Sequence, residues 1–148
     1  TATAGPFPTG AEARLLSHVP ASLQTPPCTR GTSLPPGAVA YVECFTDTPQ
    51  LLDYWLFADA DSMESAYDAR VAAAGVSPET GNCASGETSE DSWVDPDGAE
   101  SGRLLCVEDV GGTVVWTHDD LLILAEASRP GGTIQQAYRF WTGIADHV

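Results

Sequence analysis

Carboxylates are the most abundant reactive groups in this sequence, and they recur as close pairs: Asp59 with Asp61, Glu90 with Asp91, Asp95 with Asp97, and Asp119 with Asp120. Two carboxylates facing one cleft within ~5–10 Å would support hydrolysis by general acid–base chemistry. Each pair, however, stands in a stretch rich in turn and cap residues, where Asp and Glu accept backbone N–H groups and face water. Turn chemistry is therefore the expectation. His118 beside Asp119 and Asp120 is a candidate general base. The expectation for it is a surface histidine whose pKa the acids raise. The Glu90–Glu100 segment invites a calcium reading, but Gly98 at the turn position of an EF-hand loop would put Trp93 and Leu104 where ligands belong. Gly31-Thr32-Ser33-Leu34-Pro35 fails the nucleophile-elbow pattern at its last position, and neither H-E-x-x-H nor G-x-G-x-x-G occurs. The chain has no lysine, which excludes Schiff-base chemistry and a P-loop. No metal and no cofactor are expected.

The cysteines are Cys28, Cys44, Cys83 and Cys106, with no C-x-x-C pair and no histidine at ligand spacing. A zinc site is therefore disfavoured. Four cysteines allow three connectivities. Cys28–Cys44 and Cys83–Cys106 are favoured, because each closes a loop rich in Gly or Pro onto an apparent strand. In the chain-entropy model each bridge contributes roughly 3–3.5 kcal/mol, and bridged cysteines imply an oxidising compartment.

The 148 residues suit one domain, and a hydrophobic share of 43% is globular. With 21 acidic against 6 basic residues the net charge is −15, which repels nucleic acid and anionic lipid. Solubility outside the cell is a sufficient reason for that charge. Four tryptophans are present. Trp55 and Trp141 fall at periodic apolar positions and read as core. Trp93 and Trp116 lie in or beside loops: core packing is the commoner role for each, and the functional reading is that they flank a groove and, with Arg103 and the 83–102 loop, form the candidate ligand site, since exposed Trp is a common binding anchor.

The elements that must position these residues are legible in outline. Residues 1–8 have linker composition, with neither an initiator Met nor a signal-peptide pattern, and are expected to tether the domain to a preceding segment. Residues 9–148 read as a single domain. Residues 9–19 predict a helix with a Thr9/Glu12 capping box. Strands are expected at 38–45 and 51–57 around a turn at 46–49, the second with two apolar faces and so central. A helix capped by Asp61 or Ser62 buries Met63, Ala66, Tyr67 and Val71 and ends at Gly75. A short strand surrounds Trp93. Further strands at 102–108, 113–117 and 121–127 are joined by turns at Gly111-Gly112 and Asp119-Asp120. A last helix starts at Thr133, with a Gln136 capping box and an apolar face of Ile134, Ala137, Tyr138 and Trp141. This order indicates α+β: an antiparallel sheet of about five strands with helices packed on it and two disulfides.

A series of features resembles the C-terminal extracytoplasmic domain of membrane-anchored, eukaryotic-like serine/threonine kinases of actinobacteria. They are Leu15-Leu16-Ser17-His18-Val19-Pro20 before Cys28; Ala40-Tyr41-Val42-Glu43-Cys44; Tyr54-Trp55-Leu56-Phe57; Ala66-Tyr67; Gly81-Asn82-Cys83; Gly102-Arg103-Leu104-Leu105-Cys106; Val115-Trp116-Thr117; and Ala137-Tyr138-Arg139-Phe140-Trp141. The resemblance covers residues 9–143, and the lysine-free composition agrees with a high-GC genome. It implies a non-catalytic sensor domain, tethered outside the membrane, that binds an envelope ligand or protein. A protein–protein interaction or dimerisation module and a secreted carboxylate-pair hydrolase are the alternatives.

Overall fold

The computed structural model describes residues 5–46, 50–109 and 111–144. Its strands are β1 (Thr29–Arg30), β2 (Ala38–Thr46), β3 (Gln50–Phe57), β4 (Ser89–Val94), β5 (Glu100–Glu108), β6 (Gly111–His118) and β7 (Ile123–Pro130). Its α-helices are α1 (Gly10–Leu16), α2 (Ala60–Ala74) and α3 (Ile134–Thr142). Among the described residues all strands join one antiparallel sheet of seven, in the order β1-β2-β3-β7-β6-β5-β4.

The α+β expectation holds, but the sheet has seven strands rather than about five. β1 is only two residues long, too short for any periodicity to announce it. It pairs with Glu43 and Val42 of β2 beside the Cys28–Cys44 bridge, which brings this segment to the sheet edge. β3 is central, between β2 and β7, as its two apolar faces require. The turn expected at 46–49 lies mostly outside the described residues.

Side chains alternate across the sheet and build a core on each face. On one face Val42, Leu52, Tyr54, Val114, Trp116 and Ala125 meet Leu15 of α1 and Ile134, Ala137 and Trp141 of α3. On the other, Leu105, Val115, Leu124 and Phe57 meet Met63, Tyr67 and Val71, one stripe of α2 at helical spacing. α2 therefore covers the middle of its face and leaves β2 and much of β3 open.

Several boundaries differ from expectation for local reasons. The first helix is shorter than 9–19: it stops at Leu16, and His18 and Val19 donate to Leu15 and Leu16 in a tightened last turn. The α2 cap is Asp59, whose carboxylate accepts from Ser62 N–H at 2.8 Å, and not Asp61 or Ser62. The helix thus begins before its apolar stripe does. Gly111 and Gly112 open β6 instead of forming a hairpin turn. Gly112 is needed for a different reason: a Cβ there would collide with the Thr133 carbonyl, where α3 crosses the sheet. β7 begins at Ile123, because residues 119–121 form a single 3₁₀ turn. Residues 5–8 lie against the domain. Arg30 Nη2 donates to the Gly5 carbonyl at 2.7 Å, and its guanidinium lies 5.9 Å from the Phe7 ring centroid. Both capping boxes form as expected.

The cysteines pair as Cys28–Cys44 and Cys83–Cys106. Two disulfides indicate an oxidising, extracytoplasmic setting. Among the described residues no helix is long and apolar enough to cross a membrane.

Candidate functional site

The open half of the α2 face carries a groove of about 790 Å³, in the size range of small-molecule sites. Tyr41 on β2 and Trp55 on β3 are register partners, so their rings stand side by side on this face. They stack with centroids 4.7 Å apart and planes at 23°. Gly31, just past β1, backs the Tyr41 ring so closely that a Cβ there would overlap it. Facing the aromatic pair is the small-residue side of α2: Ser62, Ser65, Ala66 and Ala69. The Pro35-Pro36 corner, Asp61, Arg70 and Leu124 complete the lining with Ser33. The groove exists because α2 turns its large residues inward to the core and its small ones toward Trp55.

Beside the aromatic pair runs a row of carboxylates. Glu43, Asp53 and Glu126 are successive register partners across β2, β3 and β7. Directly opposed residues of this kind have Cβ atoms about 4.5–5.5 Å apart. The Tyr41 hydroxyl donates to Asp53 Oδ1 at 2.8 Å, and Arg70 holds both oxygens of Glu126 at 2.6 and 3.1 Å. Burial pushes the Asp53 carboxyl up to about 6; the Tyr41 hydrogen bond opposes this, and the charges of Glu126 and Glu43 add to it. Burial, and then the bond to Asp53, raises the Tyr41 phenol well above its usual range.

The residues singled out in sequence do not come together. Trp116 is core, 1% exposed, packed edge-on to Tyr54 at 5.9 Å and to Trp141 at 6.4 Å. It does not flank a groove, because α3 lies over it. Trp93 is also buried on this face, with Nε1 donating to the Thr117 carbonyl at 2.8 Å. It does border a smaller cleft of about 460 Å³, with Asn82, Asp91, Ser92, Tyr138 and Trp141 among the other lining residues. Arg103 lies on the opposite face of the sheet. Its Nε donates to Glu90 at 3.0 Å, its Nη1 to Asp68 at 2.9 Å, and its guanidinium sits 4.6 Å from the Tyr67 ring centroid. Glu90, only 1% exposed, also accepts from the Tyr67 hydroxyl and from Glu79 N–H. Arg103 is thus a clamp between α2 and the β4–β5 edge.

Trp55, read as core, is instead half-buried in the groove wall. The signal in the sequence was that Trp55 and Asp53 share a strand face with Tyr41 and Glu43 of the neighbouring strand. Nothing in the sequence told that face from the one α3 covers. The acid pairs do turn chemistry at three of the four places: Asp59 caps α2, Asp95 accepts from Asp97 and Ala99 N–H, and Asp119 accepts from the Thr117 hydroxyl. Glu90 is the exception. His118 packs against the Trp93 ring at 5.5 Å, and burial lowers its pKa, against the rise expected from its acidic neighbours. Among the described residues no cluster of three or more His, Cys, Asp or Glu is placed to hold a metal ion. No protein-family model, curated protein or solved structure matches this chain.

Proposed function

We propose that this chain is an extracytoplasmic ligand-binding domain that serves as a sensor and has no catalysis of its own, its ligand held between the Tyr41–Trp55 stack and α2. One observation carries the reading: a preformed groove of about 790 Å³ walled by a stacked aromatic pair on a rigid sheet. The disulfides support the location. Tethering to a kinase rests on the sequence resemblance alone.

The test is a groove-blocking variant. Ser65 is an exposed helix residue on the groove wall, so Ser65→Trp fills the groove without entering the core. Envelope-derived small molecules and peptides, with neutral N-phenyl-1-naphthylamine as a reference probe, are screened by thermal shift and fluorescence. Binding to the wild type that is lost in Ser65→Trp, with near-UV circular dichroism unchanged, supports the reading. Binding unaffected by Ser65→Trp, or no binding by any compound, ends it.

The carboxylate row favours a second reading, hydrolysis by a carboxylate pair with Asp53 as the acid. Turnover of aryl glycosides near pH 5 that is abolished in Asp53→Asn would establish it; no turnover would remove it.

A further inference from the structure

We infer that the groove selects an organic cation with an apolar body; this inference rests on the groove being the binding site. Of the two aromatic rings that line it, Tyr41 has one face against Gly31 and the other against Trp55, so the ring that can take a cation is Trp55, and Trp is the best cation–π partner. The charged groups around them are mostly acidic: Asp61 in the lining, Asp53 bonded to Tyr41, and Glu43 beside Asp53. Arg70 is the one base among the lining residues, and Glu126 already takes it in a two-oxygen pair. An anion entering the groove would meet the Asp61 carboxylate and no uncompensated positive charge among the lining residues. A cation would meet the Trp55 ring, the Asp61 carboxylate and a chain of net charge −15, which raises the local cation concentration.

The rest of the lining fixes the body of the ligand. Pro35, Pro36, Ala66, Ala69 and Leu124 are apolar, so over most of the wall a strongly hydrated inorganic ion would find no replacement for its water. The absence of a metal-holding cluster among the described residues points the same way. What remains is a weakly hydrated ammonium or guanidinium on an apolar frame.

Three probes with a common phenyl body separate charge from shape: benzyltrimethylammonium, benzyl alcohol and benzenesulfonate, titrated calorimetrically in 150 mM salt (roughly physiological, where the Debye length is about 8 Å). The ammonium is expected to bind at least about tenfold tighter than the alcohol, a gap of about 1.4 kcal/mol, and the sulfonate not at all. Trp55→Leu and Ser65→Trp should each abolish ammonium binding. Asp61→Asn should weaken the ammonium and leave the alcohol unchanged. If the alcohol or the sulfonate binds as well as the ammonium, and Ser65→Trp abolishes that binding, the groove remains a ligand site and the cation inference fails alone. If the ammonium binds Ser65→Trp as tightly as the wild type, its attraction is a diffuse effect of surface charge and the inference is overturned. If no probe binds, and N-phenyl-1-naphthylamine does not bind either, the inference and the groove reading fall together.

Discussion

Tyr41 and Trp55 face each other across the β2–β3 ladder and stack at 4.7 Å, and the Tyr41 hydroxyl is bonded to Asp53 on the same strand as Trp55. The aromatic wall is therefore pinned at both ends: ring against ring above, hydroxyl against carboxyl below. A wall fixed in this way has little rotamer freedom left to lose when a ligand arrives. Its other support is backbone, since the Tyr41 ring lies directly against Gly31.

Gly31→Ala tests that support. The added methyl must displace the Tyr41 ring, and overpacking of this kind costs about 1–3 kcal/mol. Chemical denaturation should show the loss, and binding of N-phenyl-1-naphthylamine should weaken with it. Unchanged stability and binding would mean that Tyr41 moves aside freely and that the wall is not pinned.

Stability should depend on pH through two carboxyls of opposite sign. Asp53 is raised from 3.8 to about 6, so the folded state holds its proton more tightly than the unfolded state. Stability therefore falls as pH rises from about 4 to 6, by about 3 kcal/mol at most, less what solvent screening removes at this part-exposed site. Asp53→Asn should remove this slope. Glu12 behaves in reverse: the hydrogen bonds from Arg30, and then those at the helix cap, hold it at about 2 against 4.5. Its contribution is present above pH 4.5 and is lost as pH falls toward 2. Arg30→Ala should flatten the acid limb. Urea titrations between pH 2 and 7 read both effects.

Arg103→Ala distinguishes a clamp from a ligand residue. Removing one partner of a buried pair leaves Glu90 charged and under-compensated, at a cost of about 3–5 kcal/mol. The partial exposure of Arg103 puts the expectation at the lower end. Arg103→Lys should recover only part, since one ammonium cannot bridge Glu90 and Asp68 while lying over Tyr67. Groove binding by the folded fraction should be unchanged. A large loss of binding at unchanged stability would return Arg103 to the ligand site.

Intact mass with and without reduction, after alkylation, checks the disulfides. No thiol should alkylate before reduction, and peptide mapping should recover 28–44 and 83–106. Replacing both members of either pair by Ala should cost about 2–5 kcal/mol. Free alkylation of the unreduced chain would remove the argument for an oxidising compartment.

Local chemistry by itself determined much of this protein. Thr9/Glu12 and Thr133/Gln136 announce helix starts, because a capping box is a short-range exchange of hydrogen bonds. The alternation of Leu52, Tyr54 and Leu56 announces a strand, and Leu51, Trp55 and Phe57 on its other face place it inside the sheet. The cysteines announce their own pairing through the loops they close. Tertiary structure decided what pattern does not encode. Trp55 and Trp116 both lie on apolar strands and are alike in type. One is half-buried and the other sealed, only because α3 crosses over Trp116 while α2 stops short of Trp55. Glu90 sits in a segment that reads as solvated acid. It is buried because Tyr67 and Arg103, 23 and 13 residues away, converge on it. β1 has no pattern to read and exists through its neighbour. Caps and alternation are set by atoms a few residues apart. Which face is covered depends on where a helix lands, and that is settled by the packing of the whole chain.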